Sequence, residues 1–400
     1  MGKASATHGG TKTIFDGWRA ISIALFMALV GYTVMVSVPV LSTALVEMLD
    51  FTEEQVGRVW GGDLGGLSLG AIISALLVAR VNRRFLVLAG VVLTIGANAL
   101  CIVFVEYEQV LWLRVAAGIG SGIFTAVAVV TLGGTTKPVL AFNLLLFGFA
   151  FSTALELHFL PMLSMTGIYL FFIVLSAICA VFVRWIPRRP LTAEELAEQE
   201  QAEDDVEDWH VPRILPVICL VAVCFTYINI GGYYTYIELA ALADGVAGDW
   251  IGPVLTWSSV FAIVGCVLAY LCSRFGLFKP LWISLLAMAG IVIMLSGGIT
   301  DTNVMVSLFG FMTLWTFVDV YQSAMLSHMD RSGSLVALLP SVQGFGQFIG
   351  PNISASILGA GMGYSTMFNV SGSMALVAMF LYIGIFIFMH SRKTVLAEAT

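Results

Sequence analysis

Six ionisable side chains stand inside long apolar stretches of this 400-residue sequence: Asp63, Arg114, Glu156, His158, Glu238 and Asp319. A charge at the centre of a bilayer costs at least ~2.5 kcal/mol on insertion scales, so such residues usually face the protein interior and serve a function. A carboxylate can take up a proton and thereby release an arginine that was paired with it. These residue types predict proton coupling. The alternative is a permanent ion pair that braces the helices and, for His158, a satisfied core histidine.

The segment FTYINIGGYYTYIELAA adds a patterned helix face around Glu238. Steps of four, three and four residues align Tyr227, Gly231, Tyr234 and Glu238, with Asn229, Tyr233 and Tyr236 on the adjoining face. Tyrosines and an asparagine at this depth favour the wall of a wet cavity, and an interfacial aromatic belt is the alternative. Gly231 and Gly232 weaken the helix at mid-depth and are candidates for a gating hinge.

Further cavity candidates flank the remaining acids. Trp315, Asp319 and Gln322 follow one another at steps of four and three residues, and Trp60 precedes Asp63 by one turn. Asn143 and Gln343 are weaker candidates for the same cavity. For Asp319 we expect a place in a cytoplasmic gate, with a hydrogen bond to a neighbouring helix as the alternative.

The composition indicates which elements must position these residues. Hydrophobic residues make up 59% of the chain and charged residues 11%, against about 25% charged residues in soluble domains. Soluble, disordered and disulfide-stapled proteins are therefore excluded, and nucleic-acid binding is not expected. We find no hydrolase triad, P-loop or metal-ligand spacing, and no filter loop or charged ring of a channel. We expect neither an enzyme nor a cofactor or metal.

The gaps between charged residues are long enough for helices that cross a bilayer, which need about 20 apolar residues each. We predict an all-α integral membrane protein with twelve spans, at residues 20–46, 54–79, 84–105, 110–133, 138–162, 166–185, 213–242, 251–272, 279–299, 304–327, 335–360 and 366–390. No segment shows the alternation of a transmembrane barrel strand.

Lysine and arginine predict the orientation. With both termini in the cytoplasm, 16 of the 18 basic residues fall on the cytoplasmic side, and only Arg58 and Arg114 do not. At 1.5 Å per residue, Asp63, Arg114, Glu156 and His158 then share one depth in the outer half of the membrane. We expect an acid–arginine–acid cluster there.

Six spans, a polar break and six further spans define the expected organisation. We predict a bundle of residues 1–186, an acidic cytoplasmic linker of residues 187–212 and a second bundle of residues 213–400. The linker region holds nine of the 25 acids, and Thr192 with Glu195 forms a capping box for a short helix. A solvated linker is the interpretation, with a regulatory role as the alternative.

This layout resembles the major facilitator superfamily of secondary transporters. The loop after the second span has Arg80, Arg83 and Arg84 at the family's basic positions, but Ala79 replaces the acid, and Asn82 stands where a glycine turn is usual. RVAAGIGSG fits the fourth-span signature, with Arg114 above a face formed by Gly118 and Gly122. The GQFIGP segment, with Gly350 and Pro351, resembles a helix-kinking element of the family. The antiporter signature of the fifth span is absent.

The resemblance implies two pseudo-symmetric six-helix bundles and alternating access. We expect a monomeric secondary active transporter in the plasma or inner membrane that moves a small organic solute with protons. A facilitative uniporter and an organic-anion uptake carrier are the alternatives within transport, and a non-transporting scaffold or sensor is the alternative outside it.

Overall fold

The computed structural model describes residues 15–78, 80–135, 138–188, 214–329, 335 and 338–398. The predictions for Ala79, Thr192, Glu195 and the acidic linker fall outside these residues, apart from the first two positions of the linker. The described part folds into thirteen α-helices, with short 3-10 turns after four of them. The helices are α1 Trp18–Leu49, α2 Glu53–Leu77, α3 Arg83–Val103, α4 Tyr107–Gly133, α5 Pro138–Phe159, α6 Met165–Val181, α7 Ile214–Ala243, α8 Gly248–Ser258, α9 Phe261–Cys272, α10 Phe278–Ile293, α11 Asp301–Met329, α12 Leu339–Gly359 and α13 Gly363–Glu398.

These helices confirm the twelve predicted spans. Ten helical segments are long and apolar enough to cross a membrane, and α6 and α12 complete the twelve. The eighth span differs from the prediction, because α8 ends at Ser258 and α9 begins at Phe261. Pro253 removes one backbone donor from α8, and the Ser258 and Ser259 hydroxyls donate 2.7 Å bonds to carbonyls three residues earlier. The two short helices still cross as one apolar segment, Gly248–Phe275.

The two halves repeat one arrangement. In the first half α4 packs against α1, α2 and α3, and α6 packs against α1 and α3. Six spans later, α11 packs against α7, α9 and α10, and α13 packs against α7 and α10. The predicted pseudo-symmetry of two six-span bundles is therefore present, with α8 and α9 together as the counterpart of α2.

The halves meet mainly along three helix pairs: α2 with α12, α1 with α7, and α5 with α8. We call the side where α1 ends and α2 begins the α1–α2 end, and the opposite side, where α1 starts and α13 finishes, the terminal end. Within the described ranges, every hydrogen bond that joins the halves lies between the middle of the helices and the α1–α2 end.

The hydrophobic core has the same asymmetry. One large cluster runs through both halves and includes Leu41, Trp60, Tyr234 and Ile237. A second cluster, with Met27, Val87, Leu132 and Ile186, belongs to the first half alone and lies toward the terminal end. The structure is therefore closed at the α1–α2 end, while the cores of the two halves are separate at the terminal end.

Candidate functional site

Glycines bring α2 and α4 into backbone contact. A Cβ at Gly118 would collide with the carbonyl of Asp63, and one at Gly122 with the carbonyl of Leu67. Gly66 and Gly70 of α2 face the α4 backbone in the same way. This close approach sets Asp63 beside Arg114, one turn before Gly118.

Arg114 and Asp63 form a buried ion pair. Arg114 Nη2 lies 2.5 Å from Asp63 Oδ2, and both side chains are at most 2% exposed. Arg114 Nη1 also donates a 2.7 Å bond to Asn98 Oδ1 on α3. The guanidinium stands over the rings of Trp60 and Phe172, at 5.5 and 5.6 Å from their centroids. Side chains of three helices of the first half, α2, α3 and α6, thus stabilise its positive charge.

A cavity of about 20 Å³ adjoins this pair, with Thr94, Asn98, Arg114 and Ser121 among its lining residues. Such a volume accommodates a single water molecule. Water there can contact Arg114 and exchange hydrogen bonds with it when the ion pair rearranges.

Glu156 lies apart from this pair, on α5 against α1. Ser37 Oγ donates a 2.7 Å bond to its Oε2, and Thr33 Oγ1 donates a 3.4 Å bond to its Oε1. Its side chain is 6% exposed, and no lysine or arginine among the described residues forms an ion pair with it. The expected acid–arginine–acid cluster is therefore divided into an ion pair and a separate carboxylate. Thr33 and Ser37 were missed, although their four-residue spacing places both on one face of α1.

Asp319 is the centre of a polar group between the halves. Tyr227 donates a 2.6 Å bond to its Oδ1, and Gln343 Nε2 a 3.4 Å bond to the same atom. Tyr32 of α1 approaches Asp319 from the first half and packs against Phe149 of α5, with ring centroids 5.4 Å apart. Tyr32, Phe149, Asp319 and Gln343 are half-buried, so this group is accessible from the space between the halves.

Helix α7 presents two faces, as its residue pattern predicts. Tyr227 bonds Asp319, and Tyr234 donates a 3.0 Å bond to the Val36 carbonyl of α1. Most of the adjoining face packs inside the second half, where Tyr233 shares a 2.8 Å bond with Ser307, whereas Tyr236 of the same face reaches Glu53 of the first half. On that face Asn229 Nδ2 donates a 2.8 Å bond to the Ser371 carbonyl.

Glu238 continues the first of these faces toward the α1–α2 end. It is buried against α1, where Thr43 is its hydrogen-bond partner and Glu47 is the nearest charge. Its Oε2 atom has no hydrogen-bond partner in the described part of the chain. A carboxylate in this position faces a second acid rather than a base, so ionisation of both is unfavourable while the halves are in contact.

A polar lock joins the halves at the α1–α2 end. Arg58 Nη1 donates a 3.1 Å bond to Asn352 Oδ1, and its Nη2 a 2.9 Å bond to Ser356 Oγ. The Tyr236 hydroxyl donates a 2.7 Å bond to the Glu53 carbonyl, and Tyr364 a 2.5 Å bond to Glu53 Oε1. Arg58 is one of the two basic residues that the sequence does not place on the cytoplasmic side. Its unusual position was the signal in the sequence for this lock.

Several other candidates lie away from the space between the halves. Gln322 is fully buried and donates a 2.8 Å bond to Thr226. Trp60 is fully buried beside Arg114. His158 and Asn143 are exposed on α5. Trp315, in contrast, lies beside the face of α7 that meets α1, and it packs edge-on against Tyr234, with centroids 5.6 Å apart.

Gly231, Gly232 and Gly350 allow α7 and α12 to approach closely. A Cβ at Gly231 would lie 3.0 Å from Pro351 Cδ, and one at Gly232 would lie 3.0 Å from Ser354 Oγ. A Cβ at Gly350 would collide with the Ile228 carbonyl. Helix α7 continues through its glycine pair, and α12 continues through Pro351. The glycines therefore serve close packing in this state, and the hinge stays a prediction.

The arginines after α2 anchor the terminal end of the first half. Arg84 Nε donates a 2.6 Å bond to the Ile186 carbonyl, and its guanidinium also bonds the Arg184 carbonyl. Arg83 is buried over the Phe15 ring at 4.8 Å, and Arg80 is exposed. Asn82, at the position of the usual glycine turn, does not take a left-handed conformation. It has φ −57° and caps α3 by accepting a bond from the Arg84 amide, because a helix N-terminus needs a side-chain acceptor.

A family model described as Major Facilitator Superfamily matches residues 21–351. A search of curated protein sequences finds no significant match.

Solved structures share the fold of the whole chain. A mutant of the nucleoside transporter NupG superposes with a TM-score of 0.71 at 12% identity, covering 92% of this chain and 99% of that one. A D-xylose-proton symporter gives 0.71 at 16% identity, covering 91% and 97%. The human organic anion transporter MFSD10 gives 0.64 at 15% identity, covering 91% and 99%. At these identities the likeness establishes the fold alone.

Proposed function

Because the chain belongs to the major facilitator superfamily and is therefore a transporter rather than an enzyme, we propose that it is a proton-coupled secondary active transporter. It moves a small organic solute by alternating access between its two halves. The observation that carries the coupling is Glu156, a buried carboxylate held by the hydroxyls of Ser37 and Thr33 without a basic partner among the described residues.

The basic residues support an orientation with both termini in the cytoplasm of a plasma or inner membrane. The α1–α2 end is then the outer side, and the closed outer lock corresponds to an inward-facing state. The acidic stretch links two bundles, residues 1–186 and 213–400, that move as units within a monomer.

Glu156 is suited to carry the proton because of its surroundings. Hydroxyls can donate to a carboxylate or accept from a carboxylic acid, so Ser37 and Thr33 accommodate both protonation states. Leaving the ionised form buried without a counter-ion is costly, so closing the halves around Glu156 favours uptake of a proton. Tyr234 of the second half is close enough to interact with Glu156 electrostatically, which links this carboxylate to the interface between the halves.

The ion pair of Asp63 and Arg114 supplies a second exchangeable contact. Protonation of Asp63 breaks the ion pair, so that Arg114 keeps its bond to Asn98 and can form a new one with water in the adjacent cavity. This pair also argues against the organic-anion alternative, because the deepest described base is already neutralised.

Reconstitution separates proton coupling from facilitated diffusion. The solute is the metabolite that most raises the melting temperature of the purified protein in a library screen. We expect proteoliposomes to accumulate it when a pH gradient is imposed and only to equilibrate it when the gradient is collapsed. Equal uptake under both conditions would identify a uniporter.

A further inference from the structure

Carboxylates outnumber bases among the buried and half-buried groups away from the helix termini. Glu156, Glu238 and Asp319 are held by hydroxyl, amide or aromatic groups, and none of the three forms an ion pair in the part of the chain that the structure describes. Arg114 is also buried, but its charge is paired with Asp63. Glu238 and Asp319 both lie beside α1 where the halves meet, so this part of the interface is electronegative.

Asp319 differs from the other two carboxylates in being accessible. Its side chain is half-buried, whereas Glu156 and Glu238 are 6% and 7% exposed. Both hydrogen bonds to Asp319, from Tyr227 and Gln343, end on Oδ1. No hydrogen bond from the described residues reaches Oδ2, so this oxygen is open to a ligand.

Aromatic residues of both halves lie near Asp319. Tyr32, on α1, is close enough to Asp319 to interact with it electrostatically, and it packs against Phe149. Trp315 lies one turn from Asp319 on α11 and is within hydrogen-bonding reach of the Tyr227 hydroxyl. A carboxylate oxygen with aromatic residues nearby favours a cation that carries an apolar body, because the face of an aromatic ring attracts positive charge.

We propose that Asp319 Oδ2 binds the ammonium group of an organic amine whose apolar or aromatic body packs between Tyr32, Phe149 and Trp315. This substrate class rests on the proposed transport function. It assigns the solute to the accessible carboxylate, Asp319, and leaves the proton to the buried one, Glu156. An anion would meet repulsion here, and a neutral solute would leave the charge of Asp319 uncompensated.

Matched ligands on one carbon skeleton test the assignment. Purified protein in detergent is titrated with the primary amine, the alcohol and the carboxylate of phenylethyl, indolylethyl and cyclohexylethyl skeletons, and the melting temperature and tryptophan fluorescence are recorded. We expect amines to stabilise the wild type more than their alcohols or carboxylates do. Asp319→Asn should weaken amine binding at least tenfold, because a neutral amide cannot pair with the ammonium.

The control is Asp301→Asn, the same change at an exposed position on the same helix, which should leave amine binding intact. An unchanged melting temperature without ligand shows that Asp319→Asn folds. The inference is wrong if no amine stabilises the wild type, if alcohols or carboxylates stabilise it as well as amines do, or if Asp319→Asn binds amines normally.

Failure of this inference is distinguishable from failure of the proposed function. Amine binding is measured without a gradient, whereas proton coupling is measured as gradient-driven accumulation of whichever solute binds. A protein that accumulates a neutral solute with protons would retain the proposed function and contradict the amine assignment.

Discussion

Arg114 Nη2 lies 2.5 Å from Asp63 Oδ2, and both side chains are sequestered between α2 and α4. Two facing glycine rows make this contact, since α2 and α4 approach closely only where side chains are absent. The Arg114 guanidinium also donates a hydrogen bond to Asn98 and stands over two aromatic rings. It is therefore both a structural contact and a candidate for rearrangement on protonation.

Removal of one partner of this pair should cost more stability than removal of both. Asp63→Asn or Arg114→Gln leaves one buried charge without compensation, and we expect the free energy of unfolding to fall by about 3–5 kcal/mol. The double variant Asp63→Asn with Arg114→Gln should recover part of the loss. Denaturation of the purified protein in mixed micelles measures the three variants, and additive losses would contradict the pairing.

Substitution of Gly118 should separate α2 from α4. A Cβ there collides with the Asp63 carbonyl, and backbone atoms cannot yield as a flexible side chain can. We expect Gly118→Ala to lower the melting temperature and the yield of folded protein. Gly96→Ala is the matched control, because nothing lies within 4 Å of a Cβ at that position, and alanine there should be neutral or slightly stabilising. Equal behaviour of the two variants would show that the helices do not pack as described.

Loss of Arg58 should open the α1–α2 end. Arg58→Ala removes the bonds to Asn352 and Ser356, so the closed state loses stability relative to the state open on that side. A cysteine at Thr43, which is buried between α1 and α7, should then react several-fold faster with a membrane-impermeant maleimide, in a background without the six native cysteines.

The control for this prediction is Arg274→Ala, an exposed arginine near the opposite end. It should leave the labelling rate of the cysteine at position 43 unchanged. An unchanged rate in Arg58→Ala would remove Arg58 from the lock.

The fold was predictable because each span is a long apolar segment between charges. The predicted bounds of the third span, residues 84–105, differ from α3, Arg83–Val103, by one or two residues. The break between α8 and α9 was not predictable from hydropathy, because Ser258 and Ser259 satisfy backbone groups within an otherwise continuous apolar segment.

The site was predictable in its residue types and only partly in its grouping. Depth along a helix places Asp63, Arg114 and Glu156 at one level, but the direction of each side chain depends on how the helices rotate against one another. Glycine packing turns Asp63 toward α4, whereas Glu156 faces α1. The spacing of the tyrosines in α7 did distinguish the face that bonds Asp319 from the face that bonds Ser307, because helical periodicity alone determines which residues share a face.

Gradient-driven accumulation by the variant Glu156→Gln tests the central claim most directly. Glutamine keeps the shape of the side chain and its bonds to Ser37 and Thr33 but cannot exchange a proton. Asp249→Asn, at an exposed acid near the α1–α2 end, controls for loss of a carboxylate. With a pH gradient across proteoliposomes, we expect the wild type and the control to concentrate the solute, while Glu156→Gln exchanges it across the membrane without concentrating it. Accumulation by Glu156→Gln at the wild-type level would contradict the account.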